Sequence, residues 1–244
     1  MGIDRRQAIR TAGTLAVAAT TVAACDTGTP PPAAPSPSAA HLATHPAEIV
    51  HGSRNRPQVA FTFHAQGDGT LIHNLLDALA TAGVHATVLA VGSWLAANPD
   101  LGRQVLAGGH ELGNHTQNHL NINQLPSAKA YTEISSCAEA VRSVSGSIGP
   151  WFRPSQAVHA SARVRALAGT VGYPTCLSYD VDSLDYTDPP PDTVVRTTLN
   201  AVQPGSIVSM HFGHAATISA LPRILAGLHT RGLHPVTVTE LMRP

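Results

Sequence analysis

The chain has 244 residues, with 15 Lys and Arg against 15 Asp and Glu, so its formal net charge is zero. That balance supplies no field to draw it to nucleic acid or acidic lipid, and no nucleic-acid partner is expected. A hydrophobic fraction of 43% with 12% charged residues fits one large ordered domain rather than a disordered chain.

In chain order, residues 1–25 have the features of an address. Asp4-Arg5-Arg6-Gln7-Ala8-Ile9-Arg10 is a twin-arginine pattern, and Thr14 to Ala24 is a short apolar stretch. At roughly 11–14 residues it is too short to cross a ~30 Å hydrocarbon layer, so it is expected to be a signal h-region. Val22-Ala23-Ala24-Cys25 resembles a bacterial lipobox, which would make Cys25 the lipidated first residue of the mature chain. The expected location is the outer face of the cell membrane, or outside the cell. Residues 26–56 are expected to be a linker. Its Pro/Ala/Ser-rich part, with Thr29-Pro30-Pro31-Pro32, favours extended polyproline II and cannot bury a core.

The folded domain is expected over 57–244. Val59 to Phe63 is a predicted strand, and Leu71 to Ala82 has helical periodicity ending at Gly83. Strand Ala86–Val91, helix Pro99–Ala107 and strand His110–Asn114 follow. The spacing next predicts a long helix over 127–143 with Ser127 as its N-cap, a strand at Trp151-Phe152, a helix over 162–171 and a strand over 175–180. A helix over 191–202 begins with Pro191 and Asp192 in its first turn. Strand Ile207–Met210, helix Ile218–Thr230 and strand Pro235–Val238 complete the domain. This β-α alternation implies an α/β fold with mostly parallel strands. About seven strands, some short, suggest a distorted (β/α)7-type barrel with working residues at the C-terminal strand ends. Cys137 and Cys176 are expected as two isolated buried thiols, with pairing open outside the cytoplasm.

Polar residues stand at several of those strand ends. His115-Thr116-Gln117-Asn118-His119 places two histidines at i and i+4, on one face of a helical turn, where both imidazoles can meet one metal ion. Asp68 adds an oxygen after the first strand. A His₂-carboxylate set leaves a position open for water, which suits catalysis by a divalent ion, zinc first, with cobalt or nickel as alternatives. His211 ends a late strand and can give a proton to a departing amine. Arg153 and Asp182 are candidates to orient a base and the imidazole of His211.

The chain resembles NodB-type polysaccharide deacetylases of carbohydrate esterase family 4 over roughly Gln58 to Leu241. His115 to His119 matches the family's H-[ST]-x-x-H motif, and Arg153-Pro154 the start of its R-x-P motif. Asp182-Ser183-Leu184-Asp185-Tyr186 matches D-x-x-D-W with Tyr for Trp, and Val208-Ser209-Met210-His211 the strand that ends in an acid histidine. The resemblance implies a distorted barrel, a divalent metal, and removal of N- or O-acetyl groups from a polysaccharide. The family's T-F-D-D-G motif departs here: Thr62-Phe63 are followed by His64-Ala65-Gln66-Gly67-Asp68-Gly69. Aligned from the right, Asp68 keeps the metal position. Aligned from the left, His64 falls on the base, and a pKa of about 6.5 suits an imidazole to that role. Ser155-Gln156 also lacks the aromatic and glycine of the third motif. The expected function is metal-dependent deacetylation of a cell-wall or extracellular glycan by a monomer tethered through Cys25. The alternative is a surface-tethered glycan-binding module of the same fold.

Overall fold

A computed structural model describes residues 47–244, so the twin-arginine pattern, Cys25 and the proline run lie outside the described residues. The described fold reaches at least ten residues ahead of the expected boundary at 57. Strand β1 (Ala47–Ile49) pairs in parallel with β5 (Thr175–Leu177), and Gly52 N–H donates to Gly205 O across 2.7 Å. The segment 47–56 is therefore part of the domain, because its backbone completes the sheet.

The remaining strands are β2 (Gln58–Ala65), β3 (Thr87–Ala90), β4 (Glu111–Asn114), β6 (Val181–Asp182), β7 (Ile207–His211) and β8 (His234–Val236). They hydrogen-bond in the order β4-β3-β2-β7-β6, with β8 also on β2, and every strand pair is parallel. Single bridges Asn114–Phe152 and Phe152–Cys176 carry the sheet from β4 to β5, and a His51–Ser206 bridge joins the far side. The result is a distorted barrel. The strand expected at Trp151-Phe152 shrinks to the single bridging residue Phe152, held between β4 and β5.

The helices are α1 (Gly69–Thr81), α2 (Gly92–Ala97), α3 (Pro99–Ala107), α4 (Ser127–Ser145), α5 (Ala162–Val171), α6 (Pro191–Ala201), α7 (Ala215–Thr230) and α8 (Val238–Leu241). Ser127 is the first residue of α4 rather than its cap; Pro126 holds the cap position. The end of the last expected strand is instead α8, because Thr237 and Glu240 form a capping box.

Alternation along β2 sorts its side chains. Phe61, Phe63 and Ala65 share an apolar cluster with Ile72, Leu75 and Leu79 of α1. Ala60 shares another with Leu89, Leu177 and Ile207. Thr62 and His64 therefore project with Ala60 into the barrel, and His64 does so at the C-terminal rim. Cys137 and Cys176 are both buried and unpaired, and burial pushes each thiol up to about 12, which leaves them inert. Among the described residues no helix is long and apolar enough to cross a membrane.

Candidate active site

Parallel pairing brings the polar strand ends together. His64 and His211 are register partners on β2 and β7. His115 follows β4, and its N–H donates to Ala90 O at the end of β3. The rings of His64 and His115 stack at 3.9 Å between centroids, and His119 lies 4.9 Å from His115. With Gln66, Gln156, Tyr179, Asp182, Tyr186 and His214 they line a pocket of about 540 Å³.

The segment from His115 to His119 is not the helical turn that its spacing suggests. It is a loop in which Thr116 (φ 67°) and His119 (φ 55°) both take left-handed backbone. Local side chains hold that strained path. Asn114 Oδ1 accepts from Thr116 N–H at 2.9 Å, and buried Glu133 accepts from both the backbone and the side-chain amide of Asn118 at 2.7 Å. The two imidazoles converge for this reason rather than through helical periodicity.

Hydrogen bonds fix the tautomers along one line of residues. The buried guanidinium of Arg153 donates to Thr62 Oγ1 (2.8 Å), Ser178 O (2.9 Å) and Nε2 of His64 (3.1 Å). Nδ1–H of His64 then donates to Nε2 of His211 at 2.9 Å. Nδ1–H of His211 donates to Asp185 Oδ1 at 2.7 Å. Asp185 is fully buried, and its other oxygen accepts from His211 N–H (2.8 Å) and Thr217 Oγ1 (2.6 Å). Burial alone would raise its carboxyl, but these bonds outweigh burial and hold it below the usual carboxylate range.

Two sequence-based roles change here. Asp182 lines the pocket but accepts from Leu184 N–H at 3.0 Å, and it is Asp185 that orients His211. His64 has both nitrogens engaged, so in this network it has no free lone pair with which to act as a base. Arg153 contacts the residue at position 64 at Nε2 of its imidazole. The Arg153 cation is fully buried without a carboxylate in contact, and desolvation brings its pKa down to about 9. Burial and neighbouring cationic groups keep His64 and His115 well below 6.5, and burial followed by His211 lowers His119.

The donor set fits the expected metal only in part. Nδ1–H of His115 donates to Arg153 O (3.1 Å), leaving its buried Nε2 without a partner, which is the tautomer a ligand needs. His119 stands beside it. Asp68 does not complete the set. It is exposed, does not line the pocket, and its Oδ1 caps α1 by accepting from Thr70 N–H (2.9 Å) and Leu71 N–H (3.3 Å). The strand runs on to Ala65, and the turn Gln66-Gly67 places Asp68 at a helix start, where unpaired N–H groups take up its carboxylate. Among the described residues no three His, Cys, Asp or Glu side chains are arranged to grip one ion.

Comparison with known proteins agrees with this architecture. A family model described as polysaccharide deacetylase matches residues 51–176. The chain is 26% identical over 201 residues to the Bacillus subtilis protein YlxY, covering 81% of this chain but only 61% of that protein. It is 32% identical over 199 residues to a peptidoglycan-N-acetylglucosamine deacetylase of Bacillus cereus, covering 78% of this chain and 90% of the relative. Among solved structures, a mutant of a CE4 family pseudoenzyme from Bacillus anthracis, with restored enzymatic activity, superposes with a TM-score of 0.77 at 25% identity. That match covers 81% of this chain and 72% of that one. The chain belongs to the polysaccharide deacetylase family.

Proposed function

We propose that the chain removes acetyl groups from an acetylated polysaccharide, peptidoglycan or a chitin-like glycan, acting on N-acetyl or O-acetyl groups at the histidine-lined pocket. The observation that carries this reading is the His211–Asp185 dyad at the pocket wall, with Nδ1–H of His211 locked on a buried carboxylate and Nε2 accepting only from the neutral ring of His64. A water entering between His211 and His64 gives its proton to Nε2 and attacks the acetyl carbonyl. Asp185 stabilises the imidazolium that forms. The same proton then passes to the departing nitrogen or oxygen as its bond to the carbonyl carbon breaks, leaving acetate and a free amine or alcohol. Nδ1–H of His64, freed from His211, becomes a donor for the developing oxyanion. A divalent ion held by His115 and His119, zinc before cobalt or nickel, would supply Lewis acidity at the carbonyl.

Export and anchoring belong to the same reading. The twin-arginine pattern and Val22-Ala23-Ala24-Cys25 support a lipoprotein tethered through Cys25, with the proline-rich spacer holding a monomeric domain near the cell wall. A second reading, a tethered glycan-binding module, is favoured by one observation: Asp68 caps α1 instead of facing the histidines. Acetate release from chito-oligosaccharides and from peptidoglycan, with and without chelator, tests the two. Release by the intact protein supports the enzyme. Saturable binding of the same glycans without release supports the module.

A further inference from the structure

The turn that presents Asp185 to His211 presents a second carboxylate to a second histidine. Nδ1 of His214 lies 2.9 Å from Asp188 Oδ1, and these two are 26 positions apart, the same separation as Asp185 and His211. The short 3-10 turn Asp185–Thr187 is flanked by two non-glycine residues in left-handed conformation, Leu184 (φ 57°) and Asp188 (φ 50°). Such backbone is unfavourable for ordinary side chains and persists where surrounding contacts require it. One flank of the turn starts the segment that buries Asp185, and the other sets the exposed carboxylate of Asp188 beside His214.

The backbone that carries His214 is closely packed. His214 precedes α7, directly after Gly213, whose φ is 80°. Gly213 packs so tightly on the loop after β2 that a Cβ built on Gly67 would lie 3.0 Å from Gly213 Cα, and one built on Gly213 would lie 3.1 Å from Gln66 O. The imidazole lines the same pocket as His211, with ring centroids 6.1 Å apart and planes at 82°. Because a carboxylate only accepts, Nδ1 of His214 carries the proton in this bond when the ring is neutral, and Nε2 is left as the free polar atom. Among the described residues nothing bonds to that Nε2. His214 makes no contact with the water-activating line from Arg153 to Asp185 beyond its edge-on approach to His211. It therefore has the position of a substrate-binding group beside the chemistry rather than a member of it.

We propose that His214, held in place by Asp188, binds a hydroxyl of the sugar that carries the acetyl group, and so contributes to substrate affinity rather than to the chemical step. Asp188 acts as a positioning residue. The proposal rests on the deacetylase reading. The test combines steady-state kinetics and calorimetric binding with triacetylchitotriose, using 4-nitrophenyl acetate as a substrate that lacks the sugar. His214→Ala should raise KM and Kd for the trisaccharide about tenfold, the loss expected for one hydrogen bond to a neutral group, with kcat within about threefold of wild type. Hydrolysis of 4-nitrophenyl acetate should be unchanged. Asp188→Asn should have a smaller effect, since its amide oxygen still accepts from Nδ1–H, and His214→Gln should recover part of the affinity. Unchanged KM and Kd in His214→Ala, or an equal loss on both substrates, would overturn the assignment while leaving the deacetylase reading intact. A wild-type protein that neither binds nor cleaves the trisaccharide would overturn both.

Discussion

His64 donates from Nδ1 to Nε2 of His211 across 2.9 Å, so the ends of two neighbouring strands are bonded directly to one another at the pocket. The contact follows from the parallel register of β2 and β7, in which the two are partners. Its consequence is a division of labour within one bond: Nδ1 of His64 holds the proton, and Nε2 of His211 holds the lone pair that accepts it until a water takes the place of His64.

That division can be measured. His64→Ala is expected to lower turnover about tenfold, the effect of losing one hydrogen-bond donor, whereas His211→Ala is expected to lower it about 10²–10⁴-fold. Equal losses in the two variants would return the base role to His64.

Asp185→Asn should keep the fold and lower kcat by about 10²–10⁴-fold, because the imidazolium loses its buried counter-ion and the tautomer is no longer enforced. Asp182→Asn, whose carboxylate accepts from Leu184 N–H and does not hold His211, should change kcat far less. A larger effect from Asp182 than from Asp185 would contradict the geometry.

Metal content separates ligand from cap. His115→Ala should lose bound divalent ion by elemental analysis. Asp68→Ala should retain it while losing about 1 kcal/mol of stability, the usual cost of removing an N-cap side chain. Metal lost from Asp68→Ala at unchanged stability would make Asp68 a ligand after all.

Acid should weaken the fold through His110. Its ring is buried, Nδ1 accepts from Ala86 N–H at 3.1 Å, and burial followed by His85 brings its pKa down to about 4. The neutral ring is the form the fold favours. Its contribution is complete above the unfolded value of about 6.5 and is lost as pH falls from there toward 4, by up to about 1.4 kcal/mol per pH unit. His64 and His115, also lowered, add to the same slope. Denaturant unfolding of wild type and His110→Gln between pH 7 and 5 should show a shallower slope in the variant. Identical slopes would exclude the contribution.

The anchor is tested by fractionation. The mature protein should partition with membranes and detergent, and Cys25→Ala should release it, since a diacyl group gains about 0.8 kcal/mol per buried methylene. Wild type found in the medium without lipid mass would exclude lipidation.

Much of this was legible in the sequence where structure is local. Helix Ala162–Val171 was readable at both ends because Ser161 caps it and Gly172 closes it. Helix Gly92–Ala97 was not readable: it spans six residues without a side-chain cap, and its first N–H groups bond to Thr116 O and Gln117 O from a distant loop. The histidine pair was legible as a pair, but for the wrong local reason, because a buried glutamate 15 residues away shapes the loop. Asp68 illustrates the limit from the other side. Gly67-Asp68-Gly69 suits a turn, a cap or a ligand equally, and only the length of β2 decides which. Asp185 was visible in its motif, yet its role depends on pairing with a strand 26 positions later.

The most direct measurement is acetate release from triacetylchitotriose and peptidoglycan by wild type and by His211→Ala, each verified as folded by circular dichroism. Release by wild type that falls at least about 10²-fold in the variant is the expected result. Release that persists undiminished without the His211 imidazole would contradict the assignment of both proton transfers to the His211–Asp185 dyad.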